Sequence, residues 1–179
     1  EITGPYEAHF TIGTQWQYKA GNDRNKTGRE LIELLANIRG HGGTLLLAIG
    51  GPDADGCLPR DKDDLVRELG LWLFVNGEAV RGTRPGAVAH DGPVYYTHAP
   101  DGPTVYAIDC TGPLDKGEWR ELTLPSLRVS AETRVDVLGA SGTLLEYDPQ
   151  FHPAPTVTQT SAGAQARYCR AQRFYNDWR

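Results

Sequence analysis

The chain has 179 residues, 39% apolar and 23% charged, with a formal net charge of -5, the make-up of an ordinary globular chain with length for one domain or two small ones. Its basic residues are scattered without a Lys/Arg stripe, which excludes a nucleic-acid footprint, and no apolar segment approaches the roughly 18 residues that span a bilayer. Cys57, Cys110 and Cys169 are an odd set without CxxC spacing, which argues against zinc and against a complete disulfide framework and reads as three buried thiols.

The first half reads as strand, helix, strand, helix. Asn25-Lys26-Thr27 has the form of a glycosylation acceptor, and Thr27-Gly28-Arg29-Glu30 that of a capping box, the threonine accepting from the third amide and the glutamate reaching back. Behind it Leu31, Leu34, Leu35 and Ile38 fall at i, i+3, i+4 and i+7, one apolar stripe that predicts a helix lying on a sheet. His41-Gly42-Gly43 ends that helix. The run that follows, GGTLLLAIGGPDADG over 42–56, has no polar alternation through Leu45, Leu46, Leu47 and Ile49, so it predicts a parallel strand covered on both faces. Its abrupt end in Gly50, Gly51, Pro52, Asp53 and Asp55 reads either as a tight turn and nothing more or as the loop leaving the strand on the side where parallel α/β folds place ligands. Asp53 and Asp55 suggest calcium only superficially, since Asp-Ala-Asp-Gly lacks the remaining ligands of a calcium loop. A second helix begins where Asp61, Asp63 and Asp64 suit the helix dipole, buries Leu65, Leu69, Trp72 and Leu73, and stops at Gly77.

After Pro85 the rhythm changes to short strands separated by turn signals: PVYYTHA, TVYAID, WRELTLPSL, RVDVLGA and TLLEYD, the spacing of an antiparallel sandwich. The terminal RYCRAQRFYNDWR reads as a last strand that packs its aromatics on that sandwich. His9, His41, His90, His98 and His152 lie far apart in sequence without metal-ligand spacing and read as surface or packing residues. The expected fold class is therefore α/β plus all-β, with β/α units over 1–84 and antiparallel strands over 85–179. Two β/α units cannot close an eight-strand barrel, which takes about 200 residues or more, so the first 84 residues read as the end of something larger.

These residues resemble one family, the α-L-fucosidases of glycoside hydrolase family 29. YEAHFTIGTQWQYK resembles its Trp-Glu segment followed by Trp-Gly-Tyr. GGTLLLAIGGPDADGCLP resembles its Gly-Gly-Asn-Leu-Leu-Leu-Asn-(Ile/Val)-Gly-Pro run, and LGLWLFVNGEAVRGTRP its Gly-x-Trp-Leu…Asn-Gly-Glu-Ala segment. VLGASGTLLEYDP and AQRFYNDWR are similar to the carboxy-terminal sandwich of a bacterial branch. The resemblance implies terminal β/α units of a TIM-like (β/α) barrel followed by an antiparallel β-sandwich, with domains at 1–84 and 85–179. It implies a retaining glycosidase acting on fucosylated glycans or oligosaccharides without metal or cofactor, with no nucleic-acid or membrane partner, in a secreted or periplasmic setting.

Retention requires two carboxyl groups about 5–5.5 Å apart, one attacking and one protonating the leaving oxygen. The family's nucleophilic aspartate lies upstream of the Trp-Glu segment, so the resemblance implies that it belongs to a missing amino-terminal barrel portion or to another chain completing the barrel. The acid/base glutamate falls to Glu1 only if the intervening loop is shorter than usual. Glu7 occupies the Trp-Glu position, with Tyr6 in place of tryptophan, and is expected to be a supporting carboxylate; catalysis and a salt bridge in the barrel mouth are its other possible roles. Trp16 matches an aromatic that walls the pocket for the fucose C5 methyl, with plain core burial as the alternative. Thr44 and Ala48 replace two family asparagines, and the loop is one residue longer before Asp55-Gly56. These departures open an alternative: a non-catalytic carbohydrate-binding or scaffold module of an inactive relative.

Overall fold

The computed structural model describes residues 4–17, 19, 24–115, 117–140 and 154–170, which fall into two compact units, Glu1–Cys110 and Thr111–Arg179. In the first, strand β1 (Glu7–Thr11) leads through helix α1 (Gly28–Gly40) to strand β2 (Thr44–Ala48), and the strands pair in parallel from Glu7 opposite Thr44 to Thr11 opposite Ala48. The crossover helix starts as its sequence requires. Thr27 Oγ1 accepts from the Glu30 amide at 3.2 Å, and the Glu30 carboxylate accepts from the Thr27 amide at 2.7 Å. Leu31 and Ile38 are buried while Leu34 and Leu35 are half-buried, so the apolar stripe packs as its period demands.

Helix α2 (Arg60–Asn76) has Asp61 and Asp63 in its first turn, half-buries Leu65, Leu69, Trp72 and Leu73, and stops at Gly77, where a 3-10 turn (Gly77–Ala79) takes over. It packs on α1. Among the described residues no helix is long and apolar enough to cross a membrane.

Strands β3 (His90–Asp91), β4 (Val94–His98) and β5 (Val105–Asp109) form an antiparallel sheet in that order. This sheet belongs to the first compact unit, and α1 packs against β4. Contact is close at Gly40, where a Cβ would stand 2.9 Å from the Ala89 carbonyl oxygen and 3.2 Å from that of Tyr96. Only a residue without a side chain lets helix backbone meet strand backbone there. The sheet buries Val94, Tyr96, Thr97 and Ile108; Tyr96 donates its hydroxyl to the Asp91 carboxylate at 2.8 Å and Thr97 donates to the Ala79 carbonyl at 2.5 Å. The change of texture at residue 85 thus marks where helices give way to antiparallel strands, and the division into compact units comes later, between Cys110 and Thr111.

The second unit holds β6 (Trp119–Leu124), β7 (Thr156–Thr160) and β8 (Gly163–Cys169), antiparallel in the order β6-β8-β7. Leu122, Leu124, Val157, Ala164 and Ala166 share one face of it, and Leu124 and Ala164 are buried. On the other face the Arg167 guanidinium lies 4.0 Å above the Trp119 ring.

Three expectations change. RVDVLGA (134–140) is not a strand: it has no ladder partner among the described residues, and the Ala140 amide folds back to the Val137 carbonyl at 3.1 Å. A period-two pattern becomes a strand only when another edge takes its hydrogen bonds. Cys57 is exposed, in the glycine-rich loop, while Cys110 and Cys169 are buried free thiols. The β2 run is parallel, yet it is not covered on both faces: Leu46 is 44% exposed and Ile49 is exposed as well, because β1 and β2 form a two-stranded sheet. TLLEYD, His152 and the terminal AQRFYNDWR lie outside the described residues.

Candidate active site

Parallel pairing sends the carboxyl ends of β1 and β2 to the same side, so residues 12–17 after β1 and 49–59 after β2 leave the sheet together. Alternation along each strand assigns the faces. Glu7, His9 and Thr11 stand with Thr44, Leu46 and Ala48 on one face, and Ala8, Phe10, Leu45 and Leu47 on the other. The first is the more open face, with Glu7, His9, Thr44 and Leu46 all exposed, while on the other Phe10 alone is exposed among these four.

On that face Glu7 Oε1 and His9 Nε2 lie 2.6 Å apart, with side chains 51% and 49% exposed. The His9 ring in turn meets the Trp16 indole edge to face, centroids 6.2 Å apart and planes at 71°. Trp16 is 57% exposed and is not a core residue. The structure therefore brings Glu7 and Trp16 to one place through His9, which sequence reasoning passed over as one of five scattered histidines. The signal was present: two positions apart in a strand means the same face. Glu1 lies outside the described residues.

The ends of the strands are tied down by backbone. The Ile12 amide donates to the Ala48 carbonyl at 2.9 Å, the Lys26 ammonium donates to the Thr11 carbonyl at 2.6 Å, and the Lys26 amide donates to the Ile12 carbonyl at 2.8 Å. Beyond β2, Asp53 organises the loop: its Oδ1 accepts the amides of Asp55 at 3.0 Å and Cys57 at 3.1 Å, while its own amide donates to the Cys57 carbonyl. That is an aspartate closing a turn on its own backbone. Among the described residues no three His, Cys, Asp or Glu side chains come together as a metal cluster. Below the loop lies Lys62 of α2, only 2% exposed, its ammonium directed at Gly50.

The face thus offers a carboxylate held by an imidazole beside a flat, exposed indole. Such a pairing of polar and apolar groups suits a ligand that is itself polar on one side and apolar on the other.

Residues 1–78 match the family model described as α-L-fucosidase. The plasma α-L-fucosidase of Rattus norvegicus is 35% identical over 116 residues, 63% of this chain and 24% of that protein; the α-L-fucosidase of Branchiostoma floridae is 37% identical over 113 residues, 62% and 24% respectively. The chain thus spans about a quarter of the length of these relatives. Among solved structures, Thermotoga maritima α-fucosidase in complex with a mechanism-based inhibitor superposes with a TM-score of 0.65 at 19% identity, covering 95% of this chain and 36% of that one. A second structure of the Thermotoga maritima enzyme, in complex with fucose, gives 0.64 at 19% identity over 97% of this chain and 37% of the other. At that identity the likeness is one of fold.

Proposed function

We propose, on the premise that residues 1–78 belong to the α-L-fucosidase family, that this chain is the carboxy-terminal portion of a retaining α-L-fucosidase-like glycoside hydrolase that removes terminal α-L-fucose from glycans. The observation that carries the reading is the open face of β1 and β2, where Glu7 and, through His9, Trp16 converge at the carboxyl end of a parallel strand pair. In this reading β1 and β2 are two adjacent strands of a TIM-like barrel, residues 1–84 complete the catalytic domain, and residues 85–179 form a β-sandwich domain.

The chemistry then divides between parts of the protein. The attacking carboxylate stands about 5–5.5 Å from the acid/base, as retention requires, and is supplied from outside this chain. Glu7, already engaged by His9, orients hydroxyls and neighbouring groups around the sugar. Trp16 receives the apolar C5-methyl side, and Glu1 is the position that would carry the acid/base in a shortened loop.

The test is hydrolysis of an aryl α-L-fucoside by the chain alone and by the protein extended to the length of its relatives. Release of fucose by the longer protein only is the expected result. Cleavage by the chain alone would overturn the division of labour, and inactivity of both would overturn the enzymatic reading. A second reading, a non-catalytic carbohydrate-binding or scaffold module, draws on Thr44 and Ala48: both stand on the open face opposite Glu7 and Thr11, where the family's two asparagine amides are replaced by a hydroxyl and a methyl. It expects fucose binding without turnover.

A further inference from the structure

His9 contacts both Glu7 and Trp16. Its Nε2 meets the Glu7 carboxylate at 2.6 Å, a short hydrogen bond. Its ring lies 6.2 Å from that of Trp16 at 71°, inside the span in which edge-to-face aromatic pairs attract. Trp16 needs such a brace. It belongs to a run of bends with no strand ladder, and more than half of its surface faces solvent. Glu7 needs one too, since a half-exposed glutamate otherwise samples several rotamers.

We propose that His9 is the positioning residue of this site: one imidazole holds the carboxylate with its nitrogen and the indole with its ring, and so sets the spacing between the polar and apolar surfaces that receive the sugar. The inference rests on the fucosidase reading for what the ligand is, but the coupling itself is a property of this chain. Glu7 is its hydrogen-bond partner on β1, the facing β2 positions Thr44, Leu46 and Ala48 carry no charge, and the Lys26 ammonium at the strand end is on the Thr11 carbonyl. A change at His9 therefore reaches Glu7 and Trp16 together.

Two substitutions separate the two contacts. His9→Gln keeps a donor near the position of Nε2 and removes the ring; His9→Phe keeps a ring and removes the donor. In the 179-residue chain, the Glu7 side-chain carboxyl and the Trp16 indole are followed by NMR at fixed pH. His9→Gln is expected to leave the Glu7 resonance near its wild-type position and to shift that of Trp16, and His9→Phe to leave Trp16 in place and to shift Glu7. Resonances indifferent to both substitutions, or moved alike by either one, would overturn the proposal. In the longer protein, His9→Ala is expected to lower kcat/KM for an aryl α-L-fucoside on the order of tenfold to a hundredfold, the cost of a misplaced positioning group, with kcat restored by His9→Gln while KM stays raised. A longer protein that cleaves no fucoside while the NMR coupling persists sinks the fucosidase reading and not the role of His9; an active protein whose kcat/KM ignores His9→Ala sinks the role of His9 alone.

Discussion

The Lys62 ammonium occupies the space that a side chain at Gly50 would need: Nζ lies 2.5 Å from where a Gly50 Cβ would stand, and the Gln17 carbonyl oxygen lies 3.7 Å from the same point. Gly50 also sits at φ +89, a conformation that L side chains rarely adopt. A lysine tip normally swings aside, but this one is 2% exposed and has little room to do so. Gly50→Ala is therefore expected to destabilise the chain by about 1–3 kcal/mol, measured by denaturant midpoint. Adding Lys62→Ala should recover the steric part alone, giving a non-additive double-mutant cycle. Additive effects would mean that the close approach carries no energy.

Tyr96 is fully buried and its hydroxyl is pushed far above the usual tyrosine range, chiefly by burial, with the hydrogen bond to Asp91 and the charge of Asp91 adding to it. The folded chain thus keeps the proton where the unfolded chain loses it. Tyr96 contributes its full stability below the ordinary tyrosine pKa of about 10 and loses it progressively as pH rises above that value. Tyr96→Phe is expected to cost about 1 kcal/mol at neutral pH and to flatten the alkaline fall of the denaturant midpoint. An equally steep fall in the variant would assign that slope to other groups.

The three thiols should separate by reactivity. Burial pushes Cys110 up to about 12, with the charges of Glu33 and Asp109 adding and Arg29 opposing, and burial also raises Cys169. Cys57 is exposed. Since the thiolate is the nucleophile, iodoacetamide near the ordinary thiol pKa of about 8.5 is expected to add once to the native chain, at Cys57, and to reach the other two only after unfolding. Mass spectrometry reads the count, and two or more rapid native adducts would contradict the packing around Cys110 and Cys169.

Leu46 tests what covers the open face. In this chain it is 44% exposed, so Leu46→Glu is expected to change stability by no more than about 0.5 kcal/mol, the range of ordinary surface substitutions. In the longer protein, where the fucosidase reading puts this face inside a barrel, the same substitution buries an unpaired carboxylate and is expected to cost about 3–5 kcal/mol. Equal effects in the two proteins would remove the barrel from the proposal.

Much of the fold is legible because it is local. The Thr27–Glu30 capping box, the Leu31 to Ile38 stripe, the acidic first turn of α2 and its stop at Gly77 depend on neighbours within a turn or two, and all appear where residue chemistry puts them. Parallel pairing of the Thr44–Ala48 run was legible because an apolar run without polar alternation is the parallel-sheet pattern, although the two-stranded sheet leaves Leu46 open to solvent. RVDVLGA shows the limit. Its alternation suits a strand, but a strand is a relation between two segments, and only three-dimensional placement shows whether an edge is there to meet it.

The candidate site divides in the same way. In the sequence, Glu7 and Trp16 were marked through the family resemblance, and the glycine-rich end of β2 through its residue types. Tertiary structure decided that His9 joins the first two, that Asp53 closes its own turn, and that the Lys62 ammonium lies buried beneath Gly50. Those are distances between side chains separated by loops whose path no local propensity sets, and they exist only once packing has chosen which parts of the chain share a face.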